Sequence, residues 1–234
     1  MSGAAFPALP DVRAERFTRL LRPVERTTEI QRSVFLARLV PVTSEAQARE
    51  VIETARREHH DARHHCSAFI LGPDRDVQRS SDDGEPGGTA GVPMLQALAQ
   101  RETAPGHRDL SDVVAVVTRW FGGILLGAGG LVRAYSGAVS SALDVAATQL
   151  WHRRRSLEIA VPMSEAGRAE NALRALGGDV EGVAVVGTAY DAAGLRLELT
   201  APDSEASLAD VEARVEALLA GRATVTRGGA VWAP

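Results

Sequence analysis

Two short runs hold most of the groups in this chain that could do chemistry. The first, SDDGEPGGTAG (residues 81–91), sets Asp82, Asp83 and Glu85 on a turn-forming stretch. Three such close carboxylates could hold a hard cation such as Mg²⁺ through oxygen, or act as a general-base pair. They serve equally well as turn and cap devices, with Gly84 and Pro86 fixing the bend and Thr89 capping the next helix. The second run, VVTRWFGGILLGAGGLVRAY (residues 116–135), packs Gly122, Gly123, Gly127, Gly129 and Gly130 into nine positions between a strand-like and a helix-like segment. A strand, a glycine turn and a helix start aim backbone N–H groups and the positive end of a helix dipole at an anion. Arg119 and Arg133 flank the run and could clamp the same group. The competing reading is a tight crossover that needs glycine for close packing, with both arginines in solvent. GAGGLV is not a dinucleotide fingerprint, because no ribose-binding acid follows in a matching unit.

His59, His60, His64, His65 and Cys66 form a third cluster. A Cys–His nucleophile pair is conceivable, since histidine lowers a thiol's pKa. Neighbours at a strand start point to opposite faces, however, and Cys66 opens an apolar run, which reads as core. His64 and His65 are expected beside the acidic turn. No residue is assigned a catalytic role.

Composition narrows the field. All 26 cationic side chains are arginine. Without lysine there is no Schiff-base chemistry and no phosphate-binding lysine of a GxxxxGK[ST] loop. The net charge is −4, with 17 arginines against 18 acids up to Leu150 and 9 against 12 beyond it. Neither half is a basic nucleic-acid module by bulk charge. The single cysteine leaves no intrachain disulfide partner. No apolar segment reaches the length of a membrane span and no signal peptide opens the chain, so a cytoplasmic protein without a membrane partner is expected.

The elements that must position these groups follow from patterning. Ser33–Val42 reads as a strand. Ser44 opens a helix, with Gln47 completing a capping box and Glu53 placed to pair with Arg57. Cys66–Leu71 is a buried strand, a helix with Pro93 in its first turn follows the acidic run, and Val113–Val117 is a strand covered on both faces. A helix runs from Leu131 to about Ala147. These make a mixed layer with helices on one side. Trp151–Arg155 looks like a hinge. Beyond it come a strand (157–161), a helix capped by Ser164 and ended by Gly177, a hairpin around residues 191–194, a helix ending at Gly221 and a last strand (223–232). That βαββαβ order is the ferredoxin-like pattern. The expected organisation is an N-terminal extension (1–22, its first ten residues a ragged tail), a first domain (23–150) and a ferredoxin-like second domain (156–234), an α+β protein.

Three blocks in order, EHHDARHHCSAF (58–69), SDDGEPGGTAGVPML (81–95) and VVTRWFGGILLGAGGLVRAY (116–135), resemble the YigZ/IMPACT family. The resemblance covers roughly Val34–Leu143 as the family's N-terminal domain, and the region from about Trp151 looks like the small C-terminal domain of its bacterial members. It implies a first domain similar to the second domain of a small-subunit ribosomal protein, and a second one similar to the ferredoxin-like domains of elongation factor G. Eukaryotic members influence translational control by competing for an activator of an amino-acid-starvation kinase, and nucleic-acid or ribosome binding has been suggested for bacterial ones. The family's DDGE acids fall on Asp82, Asp83, Gly84 and Glu85, and its glycine loop on Gly122–Gly130. The expectation is a translation-associated regulatory protein that meets RNA, a ribosome or a translation-related protein through the glycine loop, with no cofactor. The alternative is a metal-assisted hydrolase or phosphate-ester enzyme built on the acidic turn, with Mg²⁺.

Overall fold

The computed structural model describes residues 12–234. They form two compact units, one of Arg16–Trp151 and one of the residues up to Glu15 together with His152–Pro234.

The first unit contains β1 (Arg16–Leu20), β2 (Val24–Ile30), β3 (Ser33–Pro41), α1 (Glu45–Glu58), β4 (His64–Leu71), β5 (Val77–Ser81), α2 (Gly91–Ala99), β6 (Val113–Trp120) and α3 (Gly127–Leu143). Its antiparallel sheet runs β2-β3-β6-β4-β5. Alternate residues feed two cores. Phe35, Ala37 and Leu39 of β3, Cys66, Ala68 and Ile70 of β4, and Val113, Ala115 and Val117 of β6 pack with Met94 and Leu98 of α2 and Leu131, Tyr135 and Ala138 of α3. The opposite set, Phe69, Leu71, Val114 and Val116, meets Ala48 and Ala55 of α1. The expected layer with helices on one side is therefore corrected: α1 covers one face, and α2 and α3 the other. Burial on both faces is why the VVAVV run shows no alternation.

Local chemistry sets the ends of α1. The Ser44 hydroxyl accepts from the Gln47 N–H at 3.3 Å. Gln47 reaches one residue further back than a capping box requires, accepting from the Thr43 N–H at 2.7 Å. The expected Glu53–Arg57 pair is absent; Arg56 pairs with Glu53 at 2.7 Å and Arg57 donates to Thr54 at 2.9 Å.

Two boundaries also differ from expectation. Part of the supposed extension 1–22 is a core strand, β1, with Phe17 and Leu20 buried. The Thr18 and Leu21 N–H groups reach the carbonyls of Asp109 and Ala147, both at 2.9 Å. Five residues are too few for their alternation to stand out against arginines. The first ten residues lie outside the described part. The supposed hinge Trp151–Arg155 lies inside a continuous strand, β7 (Thr148–Val161). Arg153, Arg154 and Arg155 are in register with Trp232, Val231 and Ala230 of the last strand, so a run that looks like a charged linker is held by backbone ladder bonds.

The second unit continues from β7 through α4 (Ala166–Asp179), β8 (Ala184–Asp191), β9 (Gly194–Pro202), α5 (Glu205–Leu219) and β10 (Thr224–Ala233). The element order is the β-α-β-β-α-β read from the sequence. Its strands pair antiparallel in the order β10-β7-β9-β8. Leu157, Ile159, Leu197 and Leu199 of the sheet pack on Leu173 of α4 and Val211 and Val215 of α5. Ser164 sits in a 3₁₀ turn and caps nothing, and α4 runs through Gly177 to Asp179. The protein is thus α+β, with an antiparallel sheet in each unit. Among the described residues no helix is long and apolar enough to cross a membrane.

Candidate functional site

One end of the first sheet gathers the three sequence clusters. Arg119, next to last in β6, lies opposite Phe35 of β3 on one side and His64 of β4 on the other. The acidic turn leaves β5 at this end, the glycine run leaves β6 there, and the tight β2–β3 turn enters Ser33 there.

The three acids do separate structural work. Asp82 accepts from the backbone N–H groups of Gly88 (2.8 Å), Ala90 (3.0 Å) and Gly91 (2.8 Å). It therefore caps α2, whose own cap residue, Ala90, has no side-chain acceptor to offer. Thr89, the expected cap, instead donates to the Pro86 carbonyl at 2.6 Å. Burial alone would raise the Asp82 pKa, but the three N–H donors hold it below the usual carboxylate range. Asp83 accepts from Arg56 at 2.7 Å and from the His65 N–H at 2.6 Å, at a left-handed φ of 43°. This ties the end of α1 to the start of β4.

Glu85 turns inward. One of its oxygens accepts from Arg119 at 2.6 Å and from the Tyr135 hydroxyl at 2.7 Å. The side chains of Arg119 and Glu85 are only 7% and 4% exposed. Arg119 also donates to the Ser33 hydroxyl at 3.3 Å. Expected as an anion clamp, Arg119 is instead an internal counter-ion, its charge neutralised beneath the surface. The acidic turn and the glycine run do converge, but through this buried Glu85–Arg119–Tyr135 cluster. The carboxylates point to three different donor sets, and among the described residues no three His, Cys, Asp or Glu side chains gather as metal ligands.

Cys66 is fully buried, and its thiol donates to the Asp82 carbonyl at 3.0 Å. Burial first, and then nearby acids, push its pKa up to about 12, so the thiolate is out of reach at neutral pH. The core reading of Cys66 stands. Burial likewise pushes the Tyr135 phenol well above its ordinary value. His64 and His65 do lie beside the acidic turn. His64 Nδ1 is 2.8 Å from the Asp83 carbonyl, and His65 Nε2 is 3.1 Å from the His59 carbonyl. Burial holds the His65 pKa below its usual value.

The glycine run has two parts. Gly122 and Gly123 belong to a loop, while Gly127, Gly129 and Gly130 lie in the first turn of α3, which begins a full turn before the expected Leu131. A Cβ on Gly122 would stand 2.0 Å from the Arg32 carbonyl carbon, so the loop needs glycine to pass the β2–β3 turn. Gly123 and Gly127 take φ of 87° and 68°, the left-handed region that favours glycine. Gly130 is tight, with a Cβ position 3.0 Å from that of Leu126. Gly129 differs. Its φ is ordinary, and its nearest neighbour is Nη1 of Arg133 at 3.7 Å. The fold therefore has room for a side chain there. No side chain caps α3, so its first-turn N–H groups keep the positive end of the dipole open.

Around this helix start the surface is apolar and cationic. Phe121, Ile124 and Leu125 are 44%, 40% and 86% exposed. Residues 121–133 include no acid. Arg133 follows on α3, and Arg32 is exposed on the β2–β3 turn. Sequence reasoning missed Ser33, Arg32, Arg56, Phe121 and the role of Tyr135. Tyrosine at a core position of α3 was the available signal, since a buried phenol requires a partner.

Fold and site together define a two-unit α+β protein. Its exposed feature is an uncapped, arginine-flanked helix start, held from beneath by a buried ion pair. The Impact N-terminal domain model matches residues 31–143. The chain is 41% identical over 150 residues to the IMPACT family member YvyE of Bacillus subtilis, covering 64% of this chain and 66% of that protein. It is 45% identical over 129 residues to YigZ of Escherichia coli, covering 54% and 60%. A Thermus thermophilus IMPACT family member is 41% identical over 146 residues, covering 62% of this chain and 74% of its own length. The matches thus span a little under two thirds of the first two relatives. A crystal structure described as that of a hypothetical protein aligns over 92% of this chain and 97% of its own, with 31% identity and a TM-score of 0.58. The chain belongs to the IMPACT family.

Proposed function

We propose that this chain is a cytoplasmic, translation-associated binding protein that takes RNA phosphate, free or on the ribosome, at the first turn of α3. The observation that carries this reading is Gly129. It sits in a helix, with ordinary backbone angles and space for a Cβ, where alanine would be favoured by about 1 kcal/mol. A bare position beside uncapped N–H groups and the Arg133 guanidinium is what close approach by a phosphate requires. Arg133 and Arg32 supply the local positive field that the bulk charge does not. The ribosomal-protein-like and ferredoxin-like character suggested for the two domains agrees with a translational setting. The acidic turn has no part in this reading, because each of its carboxylates already holds protein donors.

The test is fluorescence anisotropy of a labelled RNA oligonucleotide against salt. Binding is expected to weaken with rising salt, and Arg133→Gln should reduce the log–log slope by about one unit. Gly129→Ala should bind more weakly while unfolding at higher urea. Absence of binding at low salt, or binding without a salt slope, refutes the proposal.

A further inference from the structure

We infer that Phe121 is a stacking platform for an unpaired base, so that the ligand of this site is single-stranded RNA rather than a duplex. The inference rests on the phosphate reading above and specifies what lies next to the phosphate.

Phe121 is the first residue of the loop that leads to the uncapped helix start. Its ring is braced from within, because the Arg119 guanidinium carbon lies 5.6 Å from its centroid and 5.4 Å from that of the buried Phe35. That guanidinium is itself fixed by Glu85 at 2.6 Å and Ser33 at 3.3 Å. A ring held by a fixed cation, with 44% of the residue still open, presents a planar apolar surface at little entropic cost. Ile124 and Leu125 of the same loop are also exposed.

Charge selects the occupant. An apolar tip alone would suit a protein groove, a membrane or a base. Residues 121–133 carry no carboxylate, and the Arg32 backbone and the Arg133 guanidinium lie against Gly122 and Gly129 of the same run, in a chain whose net charge is −4. Among the described residues neither arginine has an ion-pair partner. A ligand that alternates planar apolar faces with negative charge matches this surface, and single-stranded RNA is such a ligand. In a duplex the bases are stacked on one another and their faces are closed to the ring.

The experiment compares a single-stranded RNA oligonucleotide, a duplex of equal total charge and inorganic polyphosphate, on the full chain. Wild type is expected to prefer the single strand. Phe121→Ala should weaken single-strand binding by about five- to a hundredfold, the range of one base–aromatic stack. Duplex and polyphosphate binding and the salt slope should stay unchanged. Phe121→Leu keeps apolar area but no ring and should behave like Phe121→Ala, whereas Phe121→Trp should bind at least as well as wild type. Unchanged urea midpoints in the Leu and Trp variants keep the comparison free of folding effects. Equal losses on all three ligands, or full binding by Phe121→Leu, overturn the stacking role. Loss of binding in Gly129→Ala and Arg133→Gln but not in Phe121→Ala leaves the phosphate site standing and removes this inference. If wild type binds none of the three, the phosphate reading fails first.

Discussion

Glu85→Gln should open the first unit far more than a change of one atom suggests. Glu85 and Arg119 meet at 2.6 Å with side chains 4% and 7% exposed, so solvent screens the pair little. Glutamine retains an acceptor for Tyr135 but leaves the guanidinium without a counter-charge. Breaking one side of a buried pair costs about 3–5 kcal/mol. That is a large part of the total for a domain stable by about 5–15 kcal/mol. Cys66 provides the assay. It is the only cysteine of the chain, lies in this unit and is fully buried. Labelling of its thiol therefore reports opening of this unit, while the second unit stays silent. At about 1.4 kcal/mol per decade, the labelling rate in native buffer should rise roughly a hundred- to a few-thousand-fold. The double variant Glu85→Leu/Arg119→Met removes both charges and should label within about tenfold of wild type. A single variant that labels within threefold of wild type would refute the claim that this pair is desolvated and holds β6 to the acidic turn.

Other changes separate capping, backbone and proton effects. Asp82→Ala removes the acceptor of three α2-end N–H groups and should lower stability by about 1–2 kcal/mol, read as a fall in urea midpoint. Because the folded Asp82 pKa is depressed, its stabilisation is complete above the ordinary carboxylate value of about 4 and disappears as pH falls through the folded value. The acid limb of a pH–stability curve should therefore flatten in Asp82→Ala. Gly122→Ala must displace the Arg32 backbone and should destabilise by more than 1 kcal/mol, on the order of an overpacked core, whereas Gly129→Ala should stabilise by up to about 1 kcal/mol. Equal urea midpoints for the two would contradict the geometry. Burial lowers the His65 pKa, so below about 6.5 the folded state binds fewer protons than the unfolded chain and stability should fall as pH drops. His65→Gln should remove that slope in urea melts between pH 7 and 5.

Much of this architecture is legible in the sequence where periodicity is strong. The β-α-β-β-α-β order of the second unit follows from clean alternation and glycine punctuation, and α1 from Ser44 with its apolar spacing. The failures have physical causes. Helices on both faces cannot be read from one segment at a time, although the unbroken VVAVV run already required two covers for β6. Trp151–Arg155 reads as a hinge because arginine tracts are usually solvated, yet β7 satisfies that backbone in the sheet. The acidic turn and the glycine run meet at one sheet end, and of the two readings open for the acids the structure shows the turn-and-cap kind. Asp82, Asp83 and Glu85 look alike in a turn, and only the fold shows that one faces backbone donors, one faces Arg56 and one is buried under α3. Arg119 and Arg133 likewise look equivalent by spacing. Strand alternation sends Arg119 inward, whereas the turn of α3 leaves Arg133 beside Gly129.

The three separate donor sets say what the acidic motif does in the fold. Asp82 fixes the start of α2, Asp83 joins the end of α1 to β4, and Glu85 joins β6 to α3. Three carboxylates within four residues thus fasten every helix of the first unit at the sheet end from which the glycine loop emerges. Backbone N–H groups, unlike the Arg133 side chain, cannot reorient toward a ligand, so the precision of the proposed receptor depends on how firmly the helix start is held. Glu85 supplies that hold through Tyr135, two turns into α3, and through Arg119, which braces Phe121 at the other end of the loop. The sequence feature most suggestive of catalysis is, on this geometry, the clasp that keeps an otherwise bare loop in place. On the proposed reading, loss of the clasp should therefore weaken binding of RNA without any of its three acids touching the ligand.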